Sequence, residues 1–166
     1  MKKINLFALL LVTLFTLSLS SCKDGDEDEE VSPRSAFLTD GEWSGEGIYV
    51  VQGANSISVA LLLQLAGEQE LADQLDAIKD AKFNFEEDGT FTATANGIAD
   101  SGKWKFTEDE QKIVITDADN DETTFTVKNL TANNLNLELN IEELGMEPVE
   151  LQGNTINTLE LRLVRP

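Results

Sequence analysis

The sequence has no histidine, a single cysteine and few basic residues. Without His the chain lacks the usual general base, the commonest zinc ligand and every Ser-His or Cys-His nucleophile pair. A lone Cys22 has no intrachain disulfide partner and offers no thiolate cluster for a metal. Lys and Arg total 12 against 31 Asp and Glu, a formal net charge of −19. Such a chain repels phosphate backbones and anionic head groups, so nucleic acid and polybasic membrane docking are excluded as modes of binding. There is one long apolar run, Ile4 to Leu19, and it is shorter than the ~20 residues a spanning helix needs. No cofactor or metal is expected, and an enzyme is not the expected reading.

What is present begins with that run. Met1-Lys2-Lys3 is a basic start, the apolar segment follows, and the small pair Ser20-Ser21 precedes Cys22. This is the form of a secretory signal peptide. Leu19-Ser20-Ser21-Cys22 resembles the bacterial lipobox, which implies acylation of Cys22 (palmitate or a similar chain) and removal of residues 1–21. Two or more acyl chains anchor stably, at about 0.8 kcal/mol per buried CH₂, where one alone binds only marginally. After Cys22 come Asp24, Asp26, Glu27, Asp28, Glu29 and Glu30, a run with nothing apolar to bury. Residues 22–36 therefore read as an acidic tether, a coil spanning about 20 Å from Lys23 to Ala36. The run also resembles the signal that sends Bacteroidota lipoproteins to the outer face of the outer membrane. The expected address is a surface-exposed outer-membrane lipoprotein, with a periplasm-facing one as the alternative.

Residues 37–166 fit one domain. From Lys82 onward apolar and polar residues alternate with period two. Phe83 and Phe85 share a face, as do Phe91, Ala93 and Ala95; Trp104 and Phe106; Ile113 and Ile115; Phe125 and Val127; Leu135, Leu137 and Leu139; and Leu159, Leu161 and Leu163. These are half-buried antiparallel strands. With Trp43–Val51 as the first, they make eight, mostly joined by short turns. Such a series predicts an all-β, up-and-down barrel, which removes exposed edges; a two-sheet sandwich is the alternative. The stretch from Glu142 to Asn157 has room for an extra short strand.

Gly41-Glu42-Trp43 resembles the Gly-x-Trp that opens the first strand of lipocalins. "FEEDGTFTAT", "LTANNLNLEL" and "LELRLVRP" are similar to hairpins of the lipocalin-like domains in Bacteroidota lipoproteins. The resemblance implies an eight-stranded lipocalin-like barrel whose interior can take a small apolar ligand. The chain departs from the lipocalin pattern in lacking Thr-Asp-Tyr, a disulfide and a helix after the last strand. In a closed barrel the end of strand eight lies beside the start of strand one. Leu159, Leu161 and Leu163 face inward, so Arg165 shares their parity and Arg162 faces out. Arg165 is then expected within about 6 Å of the Trp43 indole, a barrel-closing motif of Gly41, Trp43 and Arg165. Lipocalins resemble this, with an Arg from the last strand packed on that tryptophan.

Between strands one and two, Asn55–Ala81 reads as helix, broken or kinked at Gly67. Its leucines Leu61, Leu62, Leu65, Leu71 and Leu75 are candidates for a plug that completes the core, or for a lid over a cavity; the plug is the favoured reading. Phe83, Phe85, Phe91, Trp104, Phe106, Phe125, Leu137 and Leu161 are the candidate core or ligand lining. Asp117-Ala118-Asp119-Asn120-Asp121 opens like a calcium loop, but Glu122 stands where Gly belongs and Lys128 where Glu belongs. It reads as a hairpin turn. Glu86 and Glu87 are strand neighbours pointing to opposite faces, which rules out a paired-carboxylate site. The expected function is a membrane-anchored binding module for a small apolar molecule. The alternative is a solid barrel acting through its surface, with an unspecified protein partner.

Overall fold

The computed structural model describes residues 32–144, 148–151 and 154–165. The signal segment, Cys22 and the acid run lie outside the described residues.

The domain begins earlier than the alternation suggests. Helix α1 spans Pro33–Thr39, so its first four residues fall in the stretch assigned above to the tether. Pro33 sits in the first turn, where its missing N–H costs nothing, and the Ser32 hydroxyl accepts from Ser35 N–H at 3.0 Å. Leu38 is fully buried, which docks the helix on the barrel. Ser32 also donates to Glu110. Glu110 ends a turn in which Glu108, Asp109 and Glu110 all have positive φ.

Strand β1 (Trp43–Gln52) leads into β2 (Asn55–Ser58), followed by α2 (Val59–Leu65), α3 (Gln69–Asp76) and a 3₁₀ turn, Ala77–Asp80. The helical insert is therefore shorter than expected. Asn55–Ser58 pairs back on β1, with Gln52 opposite Asn55 and Tyr49 opposite Ser58. Gly53, at φ +60°, allows this tight reversal. Gly67, at φ +84°, lies one residue past the α2 cap and ends that helix.

The remaining strands are β3 (Lys82–Phe85), β4 (Thr90–Ala95), β5 (Ile98–Thr107), β6 (Lys112–Thr116), β7 (Glu122–Leu130) and β8 (Asn134–Asn140). A small hairpin, β9 (Val149–Leu151) and β10 (Asn154–Ile156), fills the stretch before β11 (Thr158–Val164). The order is β11-β8-β7-β6-β5-β4-β3-β1-β2, and β11 pairs back on β1. The eight strands β1, β3 to β8 and β11 thus close an antiparallel barrel, with β2 riding on the free upper edge of β1. Closure settles the choice between barrel and sandwich.

Register keeps the apolar faces inward. Leu135 pairs with Leu163 and Leu137 with Leu161 across β8 and β11. Phe85 pairs with Phe91 across β3 and β4, and Trp104 with Ile115 across β5 and β6. In β1 the register slips between Gly45 and Gly47. This bulge at Glu46 switches parity, so that Ile48, opposite Leu161, takes the inward side and Tyr49, opposite Glu160, the outward side.

Candidate functional site

Three regions come into question: the closed end, the inner wall and the rim. At the closed end Trp43, Phe85, Leu135 and Leu163 are almost wholly buried beneath α1. The Trp43 indole N–H donates to Leu38 O at 2.9 Å. Arg165 lies over the ring, its guanidinium carbon 4.0 Å from the centroid, within the distance that strand parity gave. Its nitrogens donate to Phe37 O (3.2 Å), Gly41 O (3.1 Å) and Ala132 O (3.2 Å). One side chain thus joins α1, the entry to β1 and the β7–β8 turn. Burial pulls the Arg165 pKa below its ordinary value, while the nearby Asp40 carboxylate opposes that shift. Gly41, at φ +96°, supplies the turn that presents its carbonyl. This constellation ties α1, the entry to β1 and the end of the last strand together at one end of the barrel.

The inner wall is lined as the alternation implies. Phe83, Phe85, Phe91 and Leu137 are buried; Trp104, Phe106, Phe125 and Leu161 are partly buried against them. The rings form a chain. Phe85 lies 5.0 Å from Phe91 and 5.9 Å from Trp104, and Trp104 lies edge-on to Phe106 at 5.4 Å. The Trp104 N–H is used by Glu86 O at 2.9 Å, which pins the ring at the β3–β4 turn. Burial along the wall is uneven: Phe85, Ile113, Leu135 and Leu137 are closed to solvent, whereas Ile115, Phe125, Val127 and Leu161, of the same inward parity, are only partly buried.

The five leucines of the insert divide. Leu62 and Leu75 are partly buried, but Leu61, Leu65 and Leu71 are 48, 78 and 46 % exposed. They are not the plug. The contact with the barrel comes from the 3₁₀ turn: Ile78 packs on the core, and its backbone carbonyl lies against Gly45 of β1. The buried residues of α2 and α3 are the small Ala60 and Ala72, which let the two short helices pack on each other. Leu61, Leu65 and Leu71 are left outside.

An outer-face cluster escaped the sequence reading. The Arg162 guanidinium lies 4.3 Å from the Tyr49 ring centroid. Its Nε donates to Glu160 at 2.5 Å and its Nη1 to Ser56 at 3.3 Å, and Asn136 donates to Glu160 at 3.2 Å. Glu160 is 8 % exposed. The cluster ties β8, β11, β1 and β2 together across the seam where the barrel closes. That Glu160 and Arg162 share a face was visible in the strand parity. That they meet Tyr49 depends on the bulge at Glu46, which no pattern announced.

The acidic loop is a turn. Asp117 Oδ1 accepts from the backbone N–H of Asp119 and of Asp121, each at 2.9 Å. Two clefts lie outside the bore. One, of about 380 Å³, is bordered by Phe37, Asp40, Gly41 and Glu87 at the α1 end. The other, of about 350 Å³, lies over Thr90, Thr92, Ser101 and Lys103, residues of outward parity on β4 and β5. Among the described residues no helix is long and apolar enough to cross a membrane.

A closed antiparallel barrel with helices between its first and second barrel strands, sealed by a tryptophan and an arginine at one end, defines a lipocalin-like protein. A family model for a lipocalin-like domain matches residues 39–137, more than half of the chain, and the chain belongs to that family. Among solved structures it is similar to a DUF4847 family protein from Bacteroides vulgatus, with 15 % identity and a TM-score of 0.50. The match covers 76 % of this chain and 93 % of that one, and at this identity it speaks for the fold alone. No curated protein matches the sequence.

Proposed function

We propose that this protein is a lipid-anchored binding module of the bacterial cell envelope that takes a small apolar molecule into its barrel, and that it is not an enzyme. The observation that carries the binding half is the incomplete burial of Ile115, Phe125, Val127 and Leu161 on an otherwise apolar inner wall. Apolar wall left incompletely covered inside a barrel disfavours water and accepts apolar groups. The near-complete burial of Trp43, Phe85, Leu135 and Leu137 leaves only part of the bore for a guest, so a small molecule is favoured over a long acyl chain.

The test is a neutral naphthyl-type fluorophore titrated into the protein. Saturable emission enhancement is expected, with displacement by unlabelled apolar compounds. Val127→Trp, which fills the space from the inner wall, should abolish the enhancement and leave the melting temperature within a few degrees. No enhancement with the wild-type chain favours the second reading, a solid barrel acting through its surface. That reading has its own support in the near-zero exposure of Phe85, Ile113, Leu135 and Leu137.

The anchoring half rests on the segment before Cys22 and on the acid run after it. In this reading the lipid sits on Cys22 and the run directs the domain to the cell surface. Cys22→Ser should move the protein from the membrane to the soluble fraction or leave an unprocessed precursor, read by fractionation and mass. A Cys22→Ser chain that is cleaved normally and still sediments with membranes would refute acylation.

A further inference from the structure

We propose that the exposed side of α2, with the start of α3, is a docking surface for a cationic amphipathic segment of a partner protein. Helix α2 reads Val-Ala-Leu-Leu-Leu-Gln-Leu, and Ala60 is its only buried residue. A helix apolar on nearly every side is normally enclosed by protein. Here Leu61 and Leu65, one turn apart and so on one face, stand 48 and 78 % exposed, with Leu71 at 46 % just across the Gly67 turn. Exposed large apolar side chains gathered on one element, in a chain that buries its other leucines well, mark a surface that another molecule covers.

Charge decides which molecule. The apolar face is bordered by Glu68, Glu70 and Asp73, all exposed. Among the described residues none of the three forms an ion pair; Asp73 receives only the Gln69 amide, at 2.7 Å. A second copy of this chain would bring the same carboxylates face to face between molecules of charge −19 each. An anionic lipid surface is repelled in the same way. A protein segment with Leu-like residues on one side and Lys or Arg at its margins satisfies both halves of the patch, as helix-in-groove and edge-docking peptides do.

The experiment uses the full chain in neutral detergent and a labelled synthetic helix of Leu and Lys, with a Leu/Glu helix as control, followed by fluorescence anisotropy near physiological salt. One-to-one saturable binding of the Leu/Lys helix is expected, with none of the control. Leu61→Gln/Leu65→Gln should weaken it by about tenfold or more, the loss of an apolar anchor. Glu68→Gln/Glu70→Gln/Asp73→Asn should weaken it independently. Because these side chains are exposed, both variants should melt like wild type. Equal binding by the double-glutamine variant would reduce the effect to diffuse charge attraction and overturn the proposal. So would a wild-type dimer that Leu65→Gln dissolves, or a melt lowered by the double-glutamine variant, which would mean the face is already packed.

Discussion

Trp43→Ala is expected to lower the stability of the domain by about 3–5 kcal/mol, the range for truncating a buried aromatic residue. Trp43 is fully buried and does three things at once. It fills the closed end against Leu38 and Phe85, it satisfies Leu38 O through its indole N–H, and it forms the floor on which Arg165 rests. Arg165→Ala should cost less, about 2 kcal/mol, because water can reach the freed carbonyls at this end of the barrel. Arg165→Lys restores the charge but not the planar fork that reaches Phe37, Gly41 and Ala132 together, so it should recover only part of that loss. Chemical denaturation of the two single variants and the double variant forms a cycle. The double variant should be less destabilised than the sum, since each residue loses its partner when the other is removed. Strict additivity would mean that the two side chains touch without supporting each other. A Trp43→Ala loss below about 1 kcal/mol would mean that the α1 end is not part of the cooperative core.

That pair was legible before the structure because it needs only two premises, strand parity on β11 and closure of β11 on β1. The inner wall was legible for the same reason: period-two alternation over Phe83, Phe91, Trp104 and Leu137 leaves one register that buries the rings. What stayed hidden depends on single local events. Helix α1 is seven residues long, beside an acid run, and its signal is the short Ser32-Pro33 cap. Strand β2 is four residues long, and Asn55-Ser56-Ile57-Ser58 carries the same polar residues that start helices. The bulge at Glu46 leaves no trace in composition, yet it decides that Tyr49 and not its neighbour faces Arg162. The exposed leucines of α2 were visible as leucines. Their exposure was not, because it follows from Ile78 and two alanines taking the inward positions first. Period located the walls of the barrel; what it missed lies where the chain departs from period.

Gly45→Ala is expected to be nearly as damaging as the loss of Trp43, for the opposite reason. Gly45 faces inward on β1 opposite Leu163, and a Cβ built there would lie 1.8 Å from the carbonyl oxygen of Ile78 and 2.8 Å from its carbonyl carbon. These are backbone atoms of the 3₁₀ turn and cannot rotate aside. The same residue donates its N–H to Ala81 O at 3.0 Å, the contact that returns the insert to the sheet. The methyl group must therefore push the insert off β1, disturbing that hydrogen bond and the packing of Ile78. Overpacking of this kind costs about 3 kcal/mol at the upper end of its usual range, equivalent to a fall of roughly 10 °C in melting temperature for a domain of this size. Gly41 gives the control. Its φ of +96° strains any other residue, but nothing lies within 4 Å of a Cβ there, so Gly41→Ala should cost about 1 kcal/mol, from backbone strain alone. The ordering separates steric contact from conformational freedom as the reason each glycine is needed. Limited proteolysis adds the location: in Gly45→Ala, cleavage within residues 59–80 should appear before the barrel unfolds. Equal stabilities for the two variants, or an insert no more cleavable than in wild type, would mean that the 3₁₀ turn is not held against β1 at Gly45.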